Sequence, residues 1–192
     1  MKKRPSTGKL FVVSAPSGGG KTTLCKRLLE DGLGLADSVS MTTRLPRAGE
    51  TDGVDYHFVS EKRFRDTVRK KGFLEHEANF GNMYGTPKKF VEENLKKGTS
   101  VLLSIDVKGA MKVKKAYPGS ILIFLLPPSM KVLKKRLHSR MSDTPEAIAK
   151  RLALAKKELL YKDRYDHRII NDRLGTSYKR LKSVIVKELR EE

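Results

Sequence analysis

One short segment near the N-terminus constrains the fold of this chain more than any other. It lies between an apolar run at residues 10–14, which is typical of a buried strand, and a helical pattern that begins near Lys21. Its residues are Ala15, Pro16, Ser17, Gly18, Gly19, Gly20, Lys21 and Thr22. Glycines let backbone N–H groups converge on an anion, and the N-terminus of the following helix adds partial positive charge. The segment therefore predicts a loop that binds the phosphates of a nucleoside triphosphate.

The side chains at the end of this loop suit the same task. Lys21 is placed to bridge the β and γ phosphates, and the hydroxyl of Thr22 is placed to hold Mg²⁺. The pattern departs at Ala15, where such loops carry a first glycine. We expect alanine to serve there if its backbone keeps a negative φ. A glycine-rich turn without a ligand is the alternative, and the joint presence of lysine and hydroxyl argues against it.

The rest of the chain alternates short apolar runs with longer helical patterns, which favours an α/β fold. Further buried strands are expected at residues 101–105, 121–126 and 168–170, and a last helix at about 176–189. Continuous apolar strands fit a parallel sheet covered by helices on both faces. We therefore expect a parallel-sheet core of the P-loop NTPase type.

Two segments differ in texture from this core. Residues from about 37 to 90 are rich in threonine, arginine, glycine and aromatic residues, with a short strand at 56–59. They predict an inserted, mixed α+β subdomain that is large enough to bind a substrate. A polar stretch from 137 to about 149 predicts a mobile flap within a helical lid at about 131–160. The whole chain, 1–192, then forms one domain with a core at about 9–36, 95–130 and 165–192.

Composition narrows the classes of function. The 192 residues contain 41 Lys and Arg against 22 Asp and Glu, a formal charge of +19 that favours anionic partners. Cys25 is the single cysteine, which excludes an intrachain disulfide. No apolar run approaches the roughly 18 residues of a membrane span, and the run at 10–13 is too short for a signal peptide. We expect a cytoplasmic protein without membrane association.

A pair of arginines predicts a second phosphate site. Arg44 and Arg47 lie on either side of a proline, so a stiff turn can direct two guanidinium groups at one phosphate. Tyr56 and Tyr84 each carry a hydroxyl that can donate to the same group. Two solvated surface arginines are the alternative, and the tyrosine-bearing segments favour binding.

Four blocks of the sequence resemble the guanylate kinase family, and the resemblance covers about residues 9–189. They are SAPSGGGKT at 14–22, SMTTRLPRAGE at 40–50, GVDYHF at 53–58 and FGNMYGT at 80–86. The resemblance implies transfer of the ATP γ-phosphate to GMP, and to dGMP, with Mg²⁺ as cofactor and ADP and GDP as products. An ionised GMP oxygen needs no general base, so catalysis would consist of positioning and charge neutralisation.

The resemblance also implies the residues of each site. ATP binding is implied for Ala15, Pro16, Ser17, Gly18, Gly19, Gly20, Lys21, Thr22, Thr23, Arg140 and, as an adenine contact, Asn171. GMP binding is implied for Ser40, Arg44, Arg47, Tyr56, Glu75, Tyr84, Thr86 and Asp106. Catalytic roles are implied for Lys21, Arg44, Arg136, Arg151 and Asp106.

Guanine recognition would depend on Glu75 and Thr86. Guanine presents N1–H and N2–H₂ donors beside its O6 acceptor, so a carboxylate together with a hydroxyl selects it. Adenine would leave Glu75 unpaired, which can reduce its use by several orders of magnitude. An exposed acid at the end of a helix is the alternative for Glu75 taken alone.

One position departs from the family pattern, and a group of three arginines has a structural alternative. Family members usually carry two acids at the end of the strand expected at 101–105, and here Ser104 stands in the place of the first. Asp106 is left to steady Mg²⁺ or its waters, to contact the guanine amino group, or to do both. An aspartate with a purely structural role at the end of the strand is the alternative. Arg136 and Arg140 lie four residues apart, on one helix face. With Arg151 they match arginines that the family brings over the phosphates as the lid closes, and a basic solvated face is the alternative.

Three other functions compete with this one. A non-catalytic guanylate-kinase-like module tends to lose the phosphate loop, which is intact here. A different nucleoside monophosphate would not match Glu75 and Thr86. RNA binding is suggested only by the charge, and the chain lacks the aromatic-studded basic strands of single-strand readers. No specific nucleic acid is therefore expected as a partner.

The loop and the acceptor are tested together by ADP release from ATP·Mg²⁺ with GMP, AMP, UMP and CMP in parallel. We expect turnover with GMP alone and its loss in a Lys21→Ala variant, because the lysine neutralises the β and γ phosphates. Turnover with another monophosphate would contradict the assignment of the base pocket. GMP binding without turnover would favour the non-catalytic module.

Overall fold

The computed structural model describes residues 7–138 and 144–191. Within them the chain forms nine strands, seven α-helices and a 3₁₀ turn at Lys162–Arg164. The strands are β1 (Leu10–Ser14), β2 (Ala36–Asp37), β3 (Met41–Thr42), β4 (His57–Phe58), β5 (Phe73–Asn79), β6 (Asn82–Pro87), β7 (Val101–Ser104), β8 (Ile121–Leu126) and β9 (His167–Ile170). The helices are α1 (Lys21–Glu30), α2 (Glu61–Arg69), α3 (Lys88–Lys96), α4 (Val107–Ala116), α5 (Met130–His138), α6 (Pro145–Leu159) and α7 (Leu174–Arg190).

Two compact units divide these elements. The first comprises residues 7–10, 34–103 and 111–120, and the second comprises 11–33, 104–110, 121–138 and 144–191. A five-stranded sheet has the order β2-β7-β1-β8-β9, and its β2–β7, β1–β8 and β8–β9 pairs are parallel. A second sheet, β4-β3-β6-β5, mixes parallel and antiparallel pairs within the first unit. The predicted parallel core flanked by helices is confirmed, as is the mixed character of the segment at 37–90.

In the second unit the apolar strands form the centre of the core. All five residues of β1 are buried, and so are the four central residues of β8. Both faces of these strands are apolar because helices cover both sides of a parallel sheet. β8 stops at Leu126 because the two prolines that follow have no N–H for the ladder. The strands expected at 10–14 and 121–126 match residue for residue, and the last strand begins one residue earlier, at His167.

In the first unit a tight hairpin joins β5 and β6. Phe80 and Gly81 form its turn with φ values of 50° and 78°, the left-handed pair that matches the twist of two antiparallel strands. The turn fixes the register, which places Glu75 opposite Thr86. Phe73 at the start of β5 stacks on Phe64 of α2, with ring centroids 4.6 Å apart. This contact packs the hairpin against the helix.

Helices cover both ends of the predicted flap at 137–149, and residues 139–143 in its middle lie outside the described part of the chain. α5 continues to His138, and α6 begins at Pro145, where the Thr144 hydroxyl accepts a hydrogen bond from the Ala147 N–H at 3.3 Å. This threonine cap with proline in the first turn is a strong helix start. A buried apolar cluster joins the two helices and comprises Leu133, Leu137, Ile148 and Ala155. Both helices therefore extend into the segment that the polar composition assigned to a loop.

Gly85 gives a test of hairpin packing. It is buried in β6, and a Cβ atom there would lie 2.8 Å from the ring of Phe73. We expect Gly85→Ala to lower the free energy of unfolding by about 1–3 kcal/mol, because the ring has to move out of a packed position. Urea unfolding measures the change.

Gly119→Ala is the matched control, since a Cβ at Gly119 meets no atom within 4 Å. Its free energy of unfolding should stay within about 0.5 kcal/mol of the parent chain. Equal midpoints for the Gly85 and Gly119 variants would contradict the packing described for the hairpin.

Candidate active site

The predicted phosphate loop lies between β1 and α1, in the second unit. Gly18 and Gly20 have φ values of 85° and 84°, a region that side chains with a Cβ rarely adopt. The Gly19 N–H donates to the Pro16 carbonyl at 2.7 Å and closes a turn inside the loop. Ala15 avoids positive φ, since within the described part of the chain only Lys71 and Phe80 share that region with glycines. The condition under which alanine can replace the first glycine is therefore met.

The N-terminus of α1 has the character of an anion site. Gly20 is its N-cap, no side chain caps the helix, and the first turn contains no acidic residue. Lys21, Thr22 and Thr23 make up the first turn, and both threonines are exposed. The first backbone N–H groups of a helix have no partner inside it, so they attract negative charge. Phosphate binding here stays a prediction, and this geometry supports it.

Asn171 forms a hydrogen bond with the loop. It follows β9, and its side-chain amide donates to the Gly19 carbonyl at 2.6 Å in a buried contact. The fit is tight, because a Cβ on Gly20 would lie 2.5 Å from the Asn171 amide nitrogen. The sequence predicted an adenine contact for this residue and did not indicate the loop contact. The two residues are 152 positions apart, so no local pattern connects them.

The arginines of the predicted lid have distinct surroundings. Arg136, on α5, donates from Nη2 to the backbone carbonyl of Asn171 at 2.8 Å, with a longer contact of 3.4 Å to that of Asp172. Arg151 lies on α6 and is half-buried. Arg140 lies outside the described residues. Arg136 is thus tied to the same residue that holds the phosphate loop.

Asp106 has a structural role that the sequence offered only as the alternative. Its carboxylate accepts a hydrogen bond from the Gly109 N–H at 2.8 Å, in the first turn of α4. The hydroxyl of Ser14, at the end of β1, contacts the Asp106 backbone carbonyl at 3.4 Å. Asp106 therefore caps the start of α4. Its predicted contacts with Mg²⁺ or guanine stay predictions.

In the first unit, Arg44 is held by an acid that the sequence did not single out. Its Nη2 donates to both carboxylate oxygens of Glu50 at 2.9 Å, and its Nη1 donates to the Leu45 carbonyl at 2.6 Å. Glu50 also accepts from the backbone N–H of Arg47 at 2.8 Å. Burial alone would lower the pKa of Arg44, but the hydrogen bond and charge of Glu50 raise it. The only sequence signal for Glu50 is its position in the second block that resembles the family.

Two predicted tyrosines surround this arginine. Tyr56 and Tyr84 meet edge to face with centroids 6.0 Å apart, and the Arg44 guanidinium lies 5.5 Å from the centre of the Tyr56 ring. Burial and the neighbouring Tyr84 raise the pKa of Tyr56, so its hydroxyl keeps its proton. The structure therefore brings Arg44, Tyr56 and Tyr84 together. Arg47 is exposed at the edge of the same turn.

Glu75 and Thr86 form a buried pair. They face each other across β5 and β6, and the Thr86 hydroxyl donates to Glu75 Oε1 at 2.6 Å. Glu75 is 6% exposed and Thr86 is fully buried. The exposed acid considered as an alternative for Glu75 is therefore excluded. Ser40, the other predicted base contact in this unit, is half-buried just before β3.

Comparison with known proteins agrees with this geometry. Residues 7–188 match the family model described as guanylate kinase. The chain is 52% identical over 168 residues to the guanylate kinase of Chlorobium luteolum, covering 87% of this chain and 85% of that protein. It is 47% identical over 184 residues to the guanylate kinase of Wolbachia pipientis wMel, covering 95% and 92%. The crystal structure of guanylate kinase from Anaplasma phagocytophilum matches with a TM-score of 0.82 at 35% identity, covering 97% and 88%.

The chain belongs to the guanylate kinase family. The resemblance seen in the four sequence blocks is confirmed, and with it the class of enzyme, a nucleoside monophosphate kinase. None of the helices within residues 7–138 and 144–191 has both the length and the apolar composition that a membrane-spanning helix requires.

The Asn171 contact leads to a test of the phosphate loop. We expect Asn171→Ala to lower the free energy of unfolding by about 1–3 kcal/mol, because the Gly19 carbonyl loses its buried donor. Added ATP should also stabilise the variant less than the parent chain, since a loosened loop binds phosphates more weakly. Urea unfolding with and without ATP measures both effects.

Arg173→Ala serves as the control, because this neighbouring residue is exposed. It should leave the stabilisation by ATP unchanged. An Asn171 variant that ATP stabilises as strongly as the parent would show that the loop does not depend on this amide.

Proposed function

We propose that this ATP:GMP phosphotransferase converts GMP, and also dGMP, to the diphosphate through the two groups of residues described above. ATP binds the loop of the second unit, and the monophosphate binds the first unit. The observation that carries the choice of guanine is the buried Glu75–Thr86 pair. A buried carboxylate beside a hydroxyl fits the Watson–Crick edge of guanine and opposes that of adenine.

The ATP phosphates are bound by backbone N–H groups of Gly18, Gly20 and the first turn of α1, and by the side chain of Lys21. Thr22 is exposed in the first turn of α1, and its hydroxyl is the kind of oxygen donor that Mg²⁺ prefers. Thr22 would therefore hold Mg²⁺ together with the phosphate oxygens. The bound ion would supply neutralisation of phosphate charge. Asn171 supports this arrangement, because its side-chain amide donates a hydrogen bond to the Gly19 carbonyl.

The phosphate of the monophosphate binds Arg44, Arg47, Tyr56 and Tyr84. Arg44 is preorganised for this task, because Glu50 and the Tyr56 ring hold its guanidinium in one orientation. The exposed Arg47 adds a second positive charge at the same turn. Protonated tyrosine hydroxyls then donate to the phosphate oxygens, which suits the raised pKa of Tyr56.

The guanine base exchanges hydrogen bonds with the hairpin. In the structure the Thr86 hydroxyl donates its hydrogen bond to Glu75, so it cannot donate to guanine O6 at the same time. When N1–H and N2–H₂ of guanine donate to Glu75, Thr86 is released to turn toward O6. Tyr84 and Thr86 are two residues apart on β6, so their side chains lie on the same face of the strand, about 7 Å apart. Ser40, in the same unit, is a further proposed base contact.

Phosphoryl transfer then requires little beyond position and charge. An oxygen of the GMP phosphate is ionised at neutral pH, so the reaction needs no general base. Lys21, Arg136 and Arg151, with Arg140 in the lid, neutralise the charge that spreads over the transferring group. Closure of the lid, residues 131–160, over the phosphates excludes water that would hydrolyse ATP. We place this activity in the cytoplasm, with residues 37–90 as the monophosphate-binding subdomain.

Inosine monophosphate tests the base pocket, because it is GMP without the 2-amino group. The parent chain should prefer GMP over IMP in kcat/KM by at least about tenfold, the size of one hydrogen bond to a buried carboxylate. Glu75→Gln replaces one acceptor oxygen by a donor. We expect it to reduce kcat/KM for GMP by about a hundredfold and to bring the GMP and IMP values close together.

Glu93→Gln, an exposed glutamate on α3, is the matched control and should leave both values unchanged. The KM for ATP should be unaltered in both variants. Retention of the full preference for GMP over IMP in the Glu75 variant would contradict the proposed contact with the amino group.

A further inference from the structure

Glu158 is a buried acid that the reaction as described leaves without a role. It lies near the end of α6, is 8% exposed, and its Oε2 atom is completely buried without a hydrogen bond in the described part of the chain. Burying a carboxylate is costly unless it has a specific partner. The carboxylate of Glu158 accepts a hydrogen bond from the backbone N–H of Ser17, in the phosphate loop. The acid is thus directed at the loop from an element 141 positions later in the numbering (158 minus 17).

The charges around Glu158 belong to the same region. Lys21 and Lys108 interact favourably with the carboxylate, and Asp106 opposes it. Burial first and then the charge of Asp106 raise the pKa of Glu158 to about 7. The amide of glutamine has the same shape as this carboxyl group, and its oxygen can accept the hydrogen bond from the Ser17 N–H.

The position of Glu158 on its helix connects it with Arg151. Seven residues separate the two, which is two helical turns, so their side chains leave α6 on the same face about 10 Å apart. The N-terminal half of α6 packs on α5 through Ile148, Leu133 and Leu137. At its C-terminal end, Glu158 contacts the loop. The helix that carries Arg151 therefore has one end fixed to the segment that begins at Ser17.

We propose that Glu158 is a positioning residue that fixes α6 to the phosphate loop through the Ser17 N–H and thereby sets the place of Arg151. This inference rests on the proposed function for the roles of Arg151 and the loop. Loss of the contact leaves the proposed GMP-binding residues of the first unit untouched, because they lie on other elements. It lets α6 shift against the loop, and displacements of about 1 Å can reduce turnover a hundredfold. The effect therefore falls on kcat.

The test compares Glu158→Met with Glu158→Gln in the complete chain. Methionine fills the space but accepts no comparable hydrogen bond, whereas the glutamine amide oxygen accepts from the Ser17 N–H. We expect Glu158→Met to lower kcat at least about tenfold with KM for GMP within about threefold of the parent. Glu158→Gln should retain kcat within about threefold. Glu30→Met, at an exposed glutamate, is the control and should behave like the parent chain.

Two further measurements separate positioning from a general loss of structure. Amide hydrogen exchange at Ser17 should become at least about tenfold faster in the Met variant and stay near the parent rate in the Gln variant. In an Arg151→Ala background, Glu158→Met should lower kcat by less than about threefold, because the residue through which it acts is already absent. Amide hydrogen exchange is measured without substrate, so it reports on the contact between Glu158 and Ser17 even in a variant without activity.

The outcomes are distinct. Equal effects of Met and Gln, or unchanged Ser17 exchange in the Met variant, would overturn the hydrogen bond as the cause. Losses that multiply in the double variant would overturn action through Arg151. Absence of GMP turnover in the parent chain would instead refute the proposed function, and Ser17 exchange would still decide whether Glu158 anchors the loop.

Discussion

The structure depends on one constraint, which is that the loop between β1 and α1 must hold an irregular backbone at the start of a helix. Such a loop cannot be stabilised by ordinary secondary structure, and left-handed φ values at Gly18 and Gly20 add to its cost. It is held instead by groups outside it. The amide of Asn171 binds the Gly19 carbonyl, and the carboxylate of Glu158 binds the Ser17 N–H. The second unit can thus be understood as the support of this loop.

A chain with 41 basic and 22 acidic residues uses a few acids in specific places. Glu50 orients Arg44, Glu75 pairs with Thr86, Asp106 caps α4, and Glu158 meets the loop. Each of these carboxylates is at least half-buried and has a named donor, which offsets the cost of leaving water. The basic side chains, by contrast, lie mostly on the surface. The acids therefore orient donor groups in the sites that we propose for anionic ligands.

The first unit, where we propose that GMP binds, has to recognise a base as well as a phosphate. A two-residue turn at Phe80 and Gly81 fixes the hairpin register, and the register brings Glu75 and Thr86 together. A slip of one residue would turn every side chain of β6 to the opposite face. The phosphate end is built from Arg44, whose orientation comes from Glu50 and the aromatic rings. Base and phosphate recognition thus rest on separate local structures.

The sequence by itself determined the elements and the chemistry that local patterns encode. The apolar runs of β1 and β8, the glycine-rich loop and the family blocks follow from residues close together in the chain, so the α/β core and the enzyme class were predictable. The partners of the key residues were decided only by tertiary structure. Asn171 on Gly19 and Glu158 on Ser17 are contacts between distant segments, and Glu50 on Arg44 lies within one turn that no periodic pattern signals. The helices α5 and α6 reach further into the predicted flap than its polar composition indicated. The physical reason is that a hydrogen bond between distant segments depends on how the packed core brings them together, which no stretch of sequence encodes alone.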